Sequence, residues 1–121
     1  MGAMRRCRFP RRLRLRRRAQ FARLLAEGRR LGDERLQIWA LPNGLSYTRL
    51  GLMVGRRQGG AVQRNRIKRL LREAFRLTRA TLPSGWDIAC APRVGVELKL
   101  AAAMESLMRL TRGLASGDRS R

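Results

Sequence analysis

The sequence predicts an α+β domain in which helices form a layer against a small sheet. Three observations support this fold class. Residues 61–80 follow the apolar period of an amphipathic helix. Three short runs, residues 35–41, 47–54 and 86–91, have strand composition and are separated by turn signals. The length of 121 residues is that of one domain. The predicted order is helix, strand, strand, helix, strand, helix, which is typical of a two-layer α+β arrangement.

The first half of the predicted domain contains a helix and a hairpin. Residues 19–27 place Phe21, Leu24 and Leu25 on one helical face, and Gly28 is a stop signal. Pro42-Asn43-Gly44 is a strong turn signal. We therefore expect residues 35–41 and 47–54 to pair as the two strands of a hairpin.

The second half contains the longest predicted helix. The basic, glycine-rich loop 55–60 leads into helix 61–80, and Pro83-Ser84-Gly85 ends it. After strand 86–91, a last helix is predicted over residues 97–114. Its candidate core face consists of Leu100, Ala103, Met104, Leu107, Met108 and Leu114.

The chain ends are predicted to differ from the domain between them. Residues 1–18 contain nine arginines and no acidic residue, which predicts a partly extended basic segment ordered by contact with the fold or with RNA. Residues 19–115 form a single predicted domain, and residues 116–121 are predicted to be a disordered tail. No run approaches the ~18 apolar residues of a membrane span, so no membrane partner is expected.

The charge of the chain indicates a polyanionic partner. It has 29 lysines and arginines against 8 acidic residues, a net charge of +21. Such a charge opposes compaction by self-repulsion, which a bound polyanion relieves. Nucleic acid is the expected partner, ahead of the second candidate, an acidic membrane surface. All the basic residues except Lys68 and Lys99 are arginines, whose planar guanidinium suits phosphate.

The composition excludes most protein-borne catalysis. Histidine is absent, and neither a Walker-type nor a dinucleotide-binding glycine motif occurs. Asp33-Glu34 is the only adjacent acid pair and lies in a predicted loop. Cys7 and Cys90 lack zinc-site spacing and are predicted to be small apolar residues of a cytoplasmic protein, with one disulfide as the alternative. We therefore predict no catalytic residue, and no metal or other cofactor bound by the protein itself.

The helix over residues 61–80 divides into an apolar and a cationic face. At about 100° per residue, the apolar face is centred opposite the cations. It contains Ile67, Leu70, Leu71, Ala74, Phe75 and Leu77. The cationic face contains the i, i+4 ladder Arg64, Lys68, Arg72 and Arg76, beside Asn65 and Arg69. A merely solvated face would mix charge signs because like charges at this spacing repel. The ladder therefore favours a phosphate backbone alongside it.

The few aromatic residues leave two interpretations open. Phe75 and Trp86 are predicted core residues. Phe21 and Trp39 are either core residues or, if they line an open groove beside cations, platforms on which single-stranded nucleic acid stacks.

The segment RLGLMVGRRQGGAVQRNRIKRLLREAFR, residues 49–76, strongly resembles the protein subunit of bacterial ribonuclease P. Arg64-Asn65-Arg66 and the residues after it resemble the "RNR" helix of that family. The resemblance extends more loosely over residues 11–112. It departs from the family at Leu25, where an aromatic residue is common.

The resemblance implies a fold and a function. The fold is an αβ sandwich with a small, mostly antiparallel four-stranded sheet, about three helices and a left-handed β-α-β crossover. The function is that of a cytoplasmic endoribonuclease subunit in tRNA processing: a catalytic RNA with bound Mg²⁺ cleaves precursor tRNA, and one protein monomer binds that RNA in a 1:1 ribonucleoprotein complex.

The resemblance also implies roles for individual residues. The residues expected to bind RNA are Arg11, Arg12, Arg14, Arg16, Arg56, Arg57, Arg64, Asn65, Arg66, Lys68, Arg69 and Arg72. Phe21 and Trp39 are expected in the cleft that holds the 5′ leader of the substrate.

Two other functions fit the composition. A ribosomal or other structural RNA-binding protein fits the size and charge equally well, and only residues 49–76 discriminate against it. A DNA-binding helical module fits less well, because reading base edges needs mixed donors and acceptors rather than cations alone.

Overall fold

Residues 11–115, the part of the chain described by the computed structural model, contain three α-helices and four β-strands. The helices are α1 (Arg18–Glu27), α2 (Ala61–Thr78) and α3 (Leu100–Ala115), and the strands are β1 (Arg29–Gly32), β2 (Leu36–Pro42), β3 (Arg49–Leu52) and β4 (Trp86–Pro92). The predicted α+β class is confirmed. Within these residues, no helix is both long enough and apolar enough to cross a bilayer.

The strand order β1-β2-β4-β3 shows that the predicted hairpin is wrong. β4 lies between the two presumed hairpin strands, antiparallel to β2 and parallel to β3. The turn after β2 does form, but Asn43 N–H donates to the carbonyl of Gly85 (2.9 Å), which joins the turn to the start of β4. β4 takes the central position because Ile88, Ala89 and Cys90 are consecutively buried, as a strand covered on both faces requires. β3, α2 and β4 thus form a parallel β-α-β crossover, whose left-handed sense stays a prediction.

The strand missing from the sequence prediction is β1. It has only four residues, RRLG, and pairs antiparallel with β2, with Arg30 opposite Trp39. One apolar residue among two arginines and a glycine carries no strand pattern, so only its pairing reveals it. The predicted stop at Gly28 is confirmed, and a Cβ there would lie 2.5 Å from the carbonyl oxygen of Leu24.

The sheet separates two apolar clusters. The larger cluster packs α2 and α3 against one face and includes Leu36, Ile38 and Ile88, none of them exposed. The smaller cluster lies on the other face under α1, and its buried members are Leu15, Leu24 and Ala89. This arrangement is the αβ sandwich that the resemblance implies.

The buried face of α2 is rotated from the predicted one. Leu71, Ala74 and Phe75 are buried as expected, but Leu77 is 44% exposed, so its predicted core position is wrong. Thr78 is buried instead. Its hydroxyl donates to the carbonyl of Ala74 (2.8 Å), which removes the penalty for burying a polar group and which no apolar pattern can anticipate.

The last helix begins three residues later than predicted. Ala103, Leu107 and Leu114 are buried as expected, and Met104 and Met108 pack against the core. Leu100 is 36% exposed, so its core position is wrong. Leu110 and two hydroxyl residues, Ser106 and Thr111, complete the buried face.

Residues 11–17, the described part of the basic segment, pack against the fold. Leu13 and Leu15 are buried, and Leu15 N–H donates to the carbonyl of Leu50 on β3 (2.8 Å). Two alternate apolar residues therefore anchor the segment, with Arg14 between them and Arg16 directly after the second. Residues 1–10 and the predicted tail 116–121 lie outside the described residues, and so does Cys7.

Asp33 joins the β1–β2 turn to α3. Its carboxylate accepts the N–H groups of Arg35 (2.8 Å) and Leu36 (2.9 Å) and a 2.6 Å hydrogen bond from Arg109. Burial opposes the charge, but the bonds from Leu36, Arg109 and Arg35 outweigh it and lower the pKa of Asp33 to about 2. Asp33 thus has a structural role.

This lowered pKa predicts a pH dependence of stability. Asp33 binds its proton less readily in the folded protein than in the unfolded chain. Its contribution to the free energy of unfolding is therefore complete above about pH 5 and is lost as the pH falls towards 2. Asp33→Asn is expected to cost about 1–2 kcal/mol at neutral pH and little near pH 2. Urea denaturation of the wild type and of Asp33→Asn across this pH range measures the difference between their free energies of unfolding. A difference that does not change with pH would contradict the prediction.

Candidate nucleic-acid interface

Cationic side chains cover the half of α2 that faces away from the core. Leu71 and Phe75 fix the orientation of the helix, so residues on the opposite arc point outward. Arg64, Lys68 and Arg72 are half-buried, and Asn65, Arg66 and Arg69 are exposed. The charged face predicted from the sequence therefore lies at the surface of the folded protein.

Lys68 and Arg72 meet the N-terminal segment in one groove of about 290 Å³, here called the cationic groove. The groove is lined by Arg14, Leu15, Arg16, Phe21, Leu50, Leu52, Lys68 and Arg72. It thus joins four cations to an aromatic ring, and these lining residues include no carboxylate. Arg14 is held there by its parallel bridge to Leu50.

Like charges oppose one another in the cationic groove. Burial, and after it repulsion by Arg14, lowers the pKa of the Arg72 guanidinium. Arginine nevertheless keeps its charge at neutral pH, so the repulsion persists in the folded protein. An anion bound between the two side chains would relieve this repulsion, so the groove is a candidate site for phosphate.

Five acidic residues of the described chain form short ion pairs outside the cationic groove: Glu27, Asp33, Glu73, Asp87 and Glu105. Their partners at 2.6–3.3 Å are Arg23, Arg35, Arg49, Arg76 and Arg109. Within residues 11–115, none of these pairs involves Arg64, Lys68 or Arg72. Arg76, the fourth member of the predicted ladder, donates two hydrogen bonds to Glu73 (3.0 and 2.6 Å) and so differs from the other three.

The remaining predicted RNA-binding residues occupy neighbouring surfaces. Arg56 and Arg57 are exposed in a 3₁₀ turn, Arg56–Gln58, just before α2. Arg57 and Arg66 line a second groove, on the other flank of α2. Arg11 and Arg12 are exposed at the start of the described chain, where the guanidinium of Arg12 lies 5.9 Å from the ring centroid of Tyr47.

Phe21 and Trp39 lie on the same face of the sheet. Both are half-buried and pack against the smaller cluster under α1, together with Leu41 and Met53. We call this partly open surface between α1 and the sheet the α1 cleft. Each ring is therefore partly packed and partly accessible, and a role of either ring in binding RNA stays a prediction.

Gly51 makes room for the ring of Phe21. A Cβ atom at position 51 would lie 2.6 Å from Phe21 Cζ and 2.9 Å from Leu15 Cβ. The ring therefore rests directly on the backbone of β3, beside the cationic groove. A glycine at this strand position permits the close approach.

Comparison with known proteins identifies the family. A sequence model described as Ribonuclease P matches residues 9–114. The ribonuclease P protein component of Thermotoga petrophila is 44% identical over 85 residues, which cover 70% of this chain and 73% of that protein. The chain belongs to the ribonuclease P protein family. The protein component from Dehalococcoides mccartyi is 39% identical over 102 residues, 84% of this chain and 83% of that protein.

Solved structures of ribonuclease P proteins have the same fold. The protein from Thermotoga maritima matches with a TM-score of 0.76 and 35% identity, over 82% of this chain and 94% of that one. The Staphylococcus aureus protein matches with a TM-score of 0.73 at 24% identity, over 90% of this chain and 98% of that one, and so supports the fold alone.

Family membership decides between the two RNA-binding functions left open by the composition. A ribonuclease P protein is a subunit of an endoribonuclease holoenzyme that processes tRNA, and the catalytic RNA is a separate molecule. The alternative of a ribosomal protein is therefore set aside.

The described residues of this ribonuclease P protein contain few potential metal ligands or nucleophiles in close proximity. In residues 11–115, no three histidine, cysteine or acidic residues come close enough together to hold a metal ion. Cys90 is a free thiol, and burial, with a smaller effect of Asp33, raises its pKa to about 12. It is the small apolar residue that the sequence predicted, because its thiol stays protonated.

One functional candidate escaped the sequence prediction. Arg30 lies on β1 opposite Trp39, and its guanidinium is 5.9 Å from the Trp39 ring centroid. It therefore adds a cation to the α1 cleft. No local pattern could reveal this contact, because it depends on the pairing of a strand that has no strand signature.

Proposed function

We propose that the cationic face of α2 binds the catalytic RNA of ribonuclease P and that the α1 cleft binds the single-stranded 5′ leader of precursor tRNA. The observation that carries the proposal is the cationic groove, where Lys68 and Arg72 of α2 meet Arg14, Arg16 and the ring of Phe21. Cations beside a half-exposed aromatic ring are the combination that single-stranded RNA requires. Because this groove adjoins both surfaces, one protein can contact both RNAs.

Leader binding would distinguish substrate from product. Mature tRNA lacks the leader, so contacts with Phe21, Trp39 and the nearby cations raise the affinity for the precursor alone. The contacts with phosphate are independent of sequence, and stacking on aromatic rings tolerates any base. A cleft built in this way accepts the varied leaders of different tRNAs.

The protein would act by binding and orienting RNA, in a 1:1 complex in the cytoplasm. We infer that Mg²⁺ binds to the RNA, because the lining of the cationic groove contains no carboxylate and five carboxylates of the described residues form ion pairs with arginines. Neutralising phosphates lowers the repulsion within the folded RNA. The free thiol of Cys90 is compatible with a reducing compartment.

The proposal is tested with the holoenzyme reconstituted from this protein and its catalytic RNA. We expect precursor tRNA to bind more tightly than mature tRNA, and Phe21→Ala or Trp39→Ala to reduce that preference by about tenfold, since stacking contributes about 1–3 kcal/mol per base. The affinity for mature tRNA should not change. Equilibrium binding of both tRNAs to each holoenzyme measures this.

Trp86→Ala is the matched control. Trp86 is also a half-buried tryptophan, but it packs against the larger cluster on the opposite face of the sheet. Its loss should lower stability and leave the preference for precursor tRNA intact. Equal affinities for the two tRNAs, with and without the wild-type protein, would contradict the proposal, as would cleavage by the protein without RNA.

The support that Gly51 gives to Phe21 yields a second prediction. Gly51→Ala forces the Phe21 ring away from β3, so we expect a reduced preference for precursor tRNA and a loss of stability of about 1–3 kcal/mol. Gly55→Ala is the control, because nothing lies within 4 Å of its Cβ position. Binding assays and thermal unfolding of both variants compare them, and identical tRNA preferences would refute the role of Gly51.

A further inference from the structure

A second groove, of about 590 Å³, runs along the flank of α2 that lies away from the cationic groove. Ile67 and Leu70 of α2 form one wall, and Val94 and Val96 of the loop between β4 and α3 lie across from them. The size is that of a site for a small organic molecule or a nucleotide. We call it the loop groove.

The apolar side chains of the loop groove are unusually accessible. Val94 is 51% exposed and Val96 is 40% exposed, although both are β-branched aliphatic residues. Leu70 adds a half-buried side chain to the same surface. Adjacent exposed apolar side chains on one concave surface mark an interaction site more often than a solvated surface.

The loop groove is formed before any ligand binds. Gln58 Nε2 donates to the carbonyl of Pro92 (2.8 Å), which joins the basic turn before α2 to the loop after β4. Gly95 has a φ of +86°, a conformation that side chains disfavour, and it turns the loop between Val94 and Val96. These features hold the two valines in place across from α2.

The charge at the edge of the loop groove selects the ligand. Arg57 and Arg66 line it and are exposed, and Glu97 is the one carboxylate among its lining residues. Arg66 also belongs to the cationic arc of α2, so the loop groove continues the proposed interface with RNA. Apolar walls between guanidinium groups fit an unpaired nucleotide, whose base faces are apolar and whose flanking phosphates are anionic.

We propose that the loop groove binds one or two unpaired bases of the catalytic RNA. The bases contact Val94, Val96 and Ile67, and Arg57 and Arg66 bind the adjoining phosphates. This inference rests on the proposed function only in requiring that α2 lies against the catalytic RNA. The contact would depend on the secondary structure of the RNA, because paired bases inside a helix cannot enter the groove.

The test replaces an apolar wall of the groove by an anion. Val96→Asp is expected to weaken binding of the catalytic RNA by about tenfold, the loss of one base contact. Base-specific chemical modification of the RNA should show one or two unpaired nucleotides that the wild-type protein protects and Val96→Asp leaves reactive. Leu45→Asp is the matched control, since Leu45 is 37% exposed and does not line the groove. Thermal unfolding verifies that both variants fold.

Three results would overturn the proposal. One is a Val96→Asp protein with wild-type affinity and protections. A second is weaker binding with unchanged base protections, which would indicate only repulsion of phosphate. The third is a photo-crosslink from position 96 to residues 1–10 or to a second copy of the chain in the holoenzyme. If Val96→Asp leaves RNA binding unchanged while charge reversal at Lys68 and Arg72 weakens it, only this inference fails. If neither variant changes RNA binding, the proposed function fails as well.

Discussion

Replacing Lys68 and Arg72 by glutamate is expected to weaken binding of the catalytic RNA by about a hundredfold, roughly tenfold for each lost phosphate contact. Both side chains line the cationic groove, and the pKa of Arg72 is lowered there by burial and by Arg14. The loss should be uniform among RNA sequences because phosphate contacts carry no sequence information. Titration of the catalytic RNA with each protein measures it.

The salt dependence of the same titrations identifies the cause. Each phosphate contact contributes about −0.7 to −0.9 to the slope of log K against the logarithm of the salt concentration. The slope of the double variant should therefore be less steep by about 1.5. Arg112→Glu, an exposed change on α3, controls for the altered net charge. A slope unchanged by the double variant, or an equal loss with Arg112→Glu, would rule out the assigned contacts.

Phe75→Ala is expected to destabilise the protein by about 3–5 kcal/mol, the usual cost of truncating a buried aromatic residue. Phe75 is fully buried between α2 and the sheet. Since domains are stable by about 5–15 kcal/mol, this variant should unfold at much lower denaturant concentration. Urea denaturation followed by circular dichroism measures the change.

Leu77→Ala is the comparison that makes this result specific. The apolar period of the helix placed Leu77 on the core face with Phe75, but it is 44% exposed in the folded protein. Its truncation should therefore change stability by less than about 0.5 kcal/mol. A loss as large as that of Phe75→Ala would mean that the core extends to the predicted face rather than the observed one.

Much of the candidate interface could be predicted because it lies on one helix. The positions of Arg64, Lys68 and Arg72 relative to Phe75 follow from the helical repeat and need no tertiary information. The loop groove could not be predicted in this way. Val94 and Val96 lie opposite Ile67 only because β4 pairs beside β3. Leu70 packs against the core, as its period predicts, and its accessible side also lines the loop groove.

The α1 cleft was predictable only from the resemblance to a family. Phe21 and Trp39 are 18 residues apart in the sequence. The helix and strand patterns that contain them are compatible with core positions as well as with cleft positions. The contact of Arg30 with Trp39 was not predictable at all, because β1 lacks an apolar alternation. Cross-strand register, not local composition, brings these side chains together.

The sequence by itself determined the α+β class, the absence of histidine chemistry, the need for a polyanionic partner and the separation of charge on α2. These properties depend on composition or on the short-range geometry of a single element. The tertiary structure alone decided that β4 lies between β2 and β3, that α2 is rotated to bury Thr78 rather than Leu77, and that Arg14 faces Arg72 across a groove. Strand order and helix rotation are set by the packing of distant surfaces, whose free energy is not contained in any local pattern.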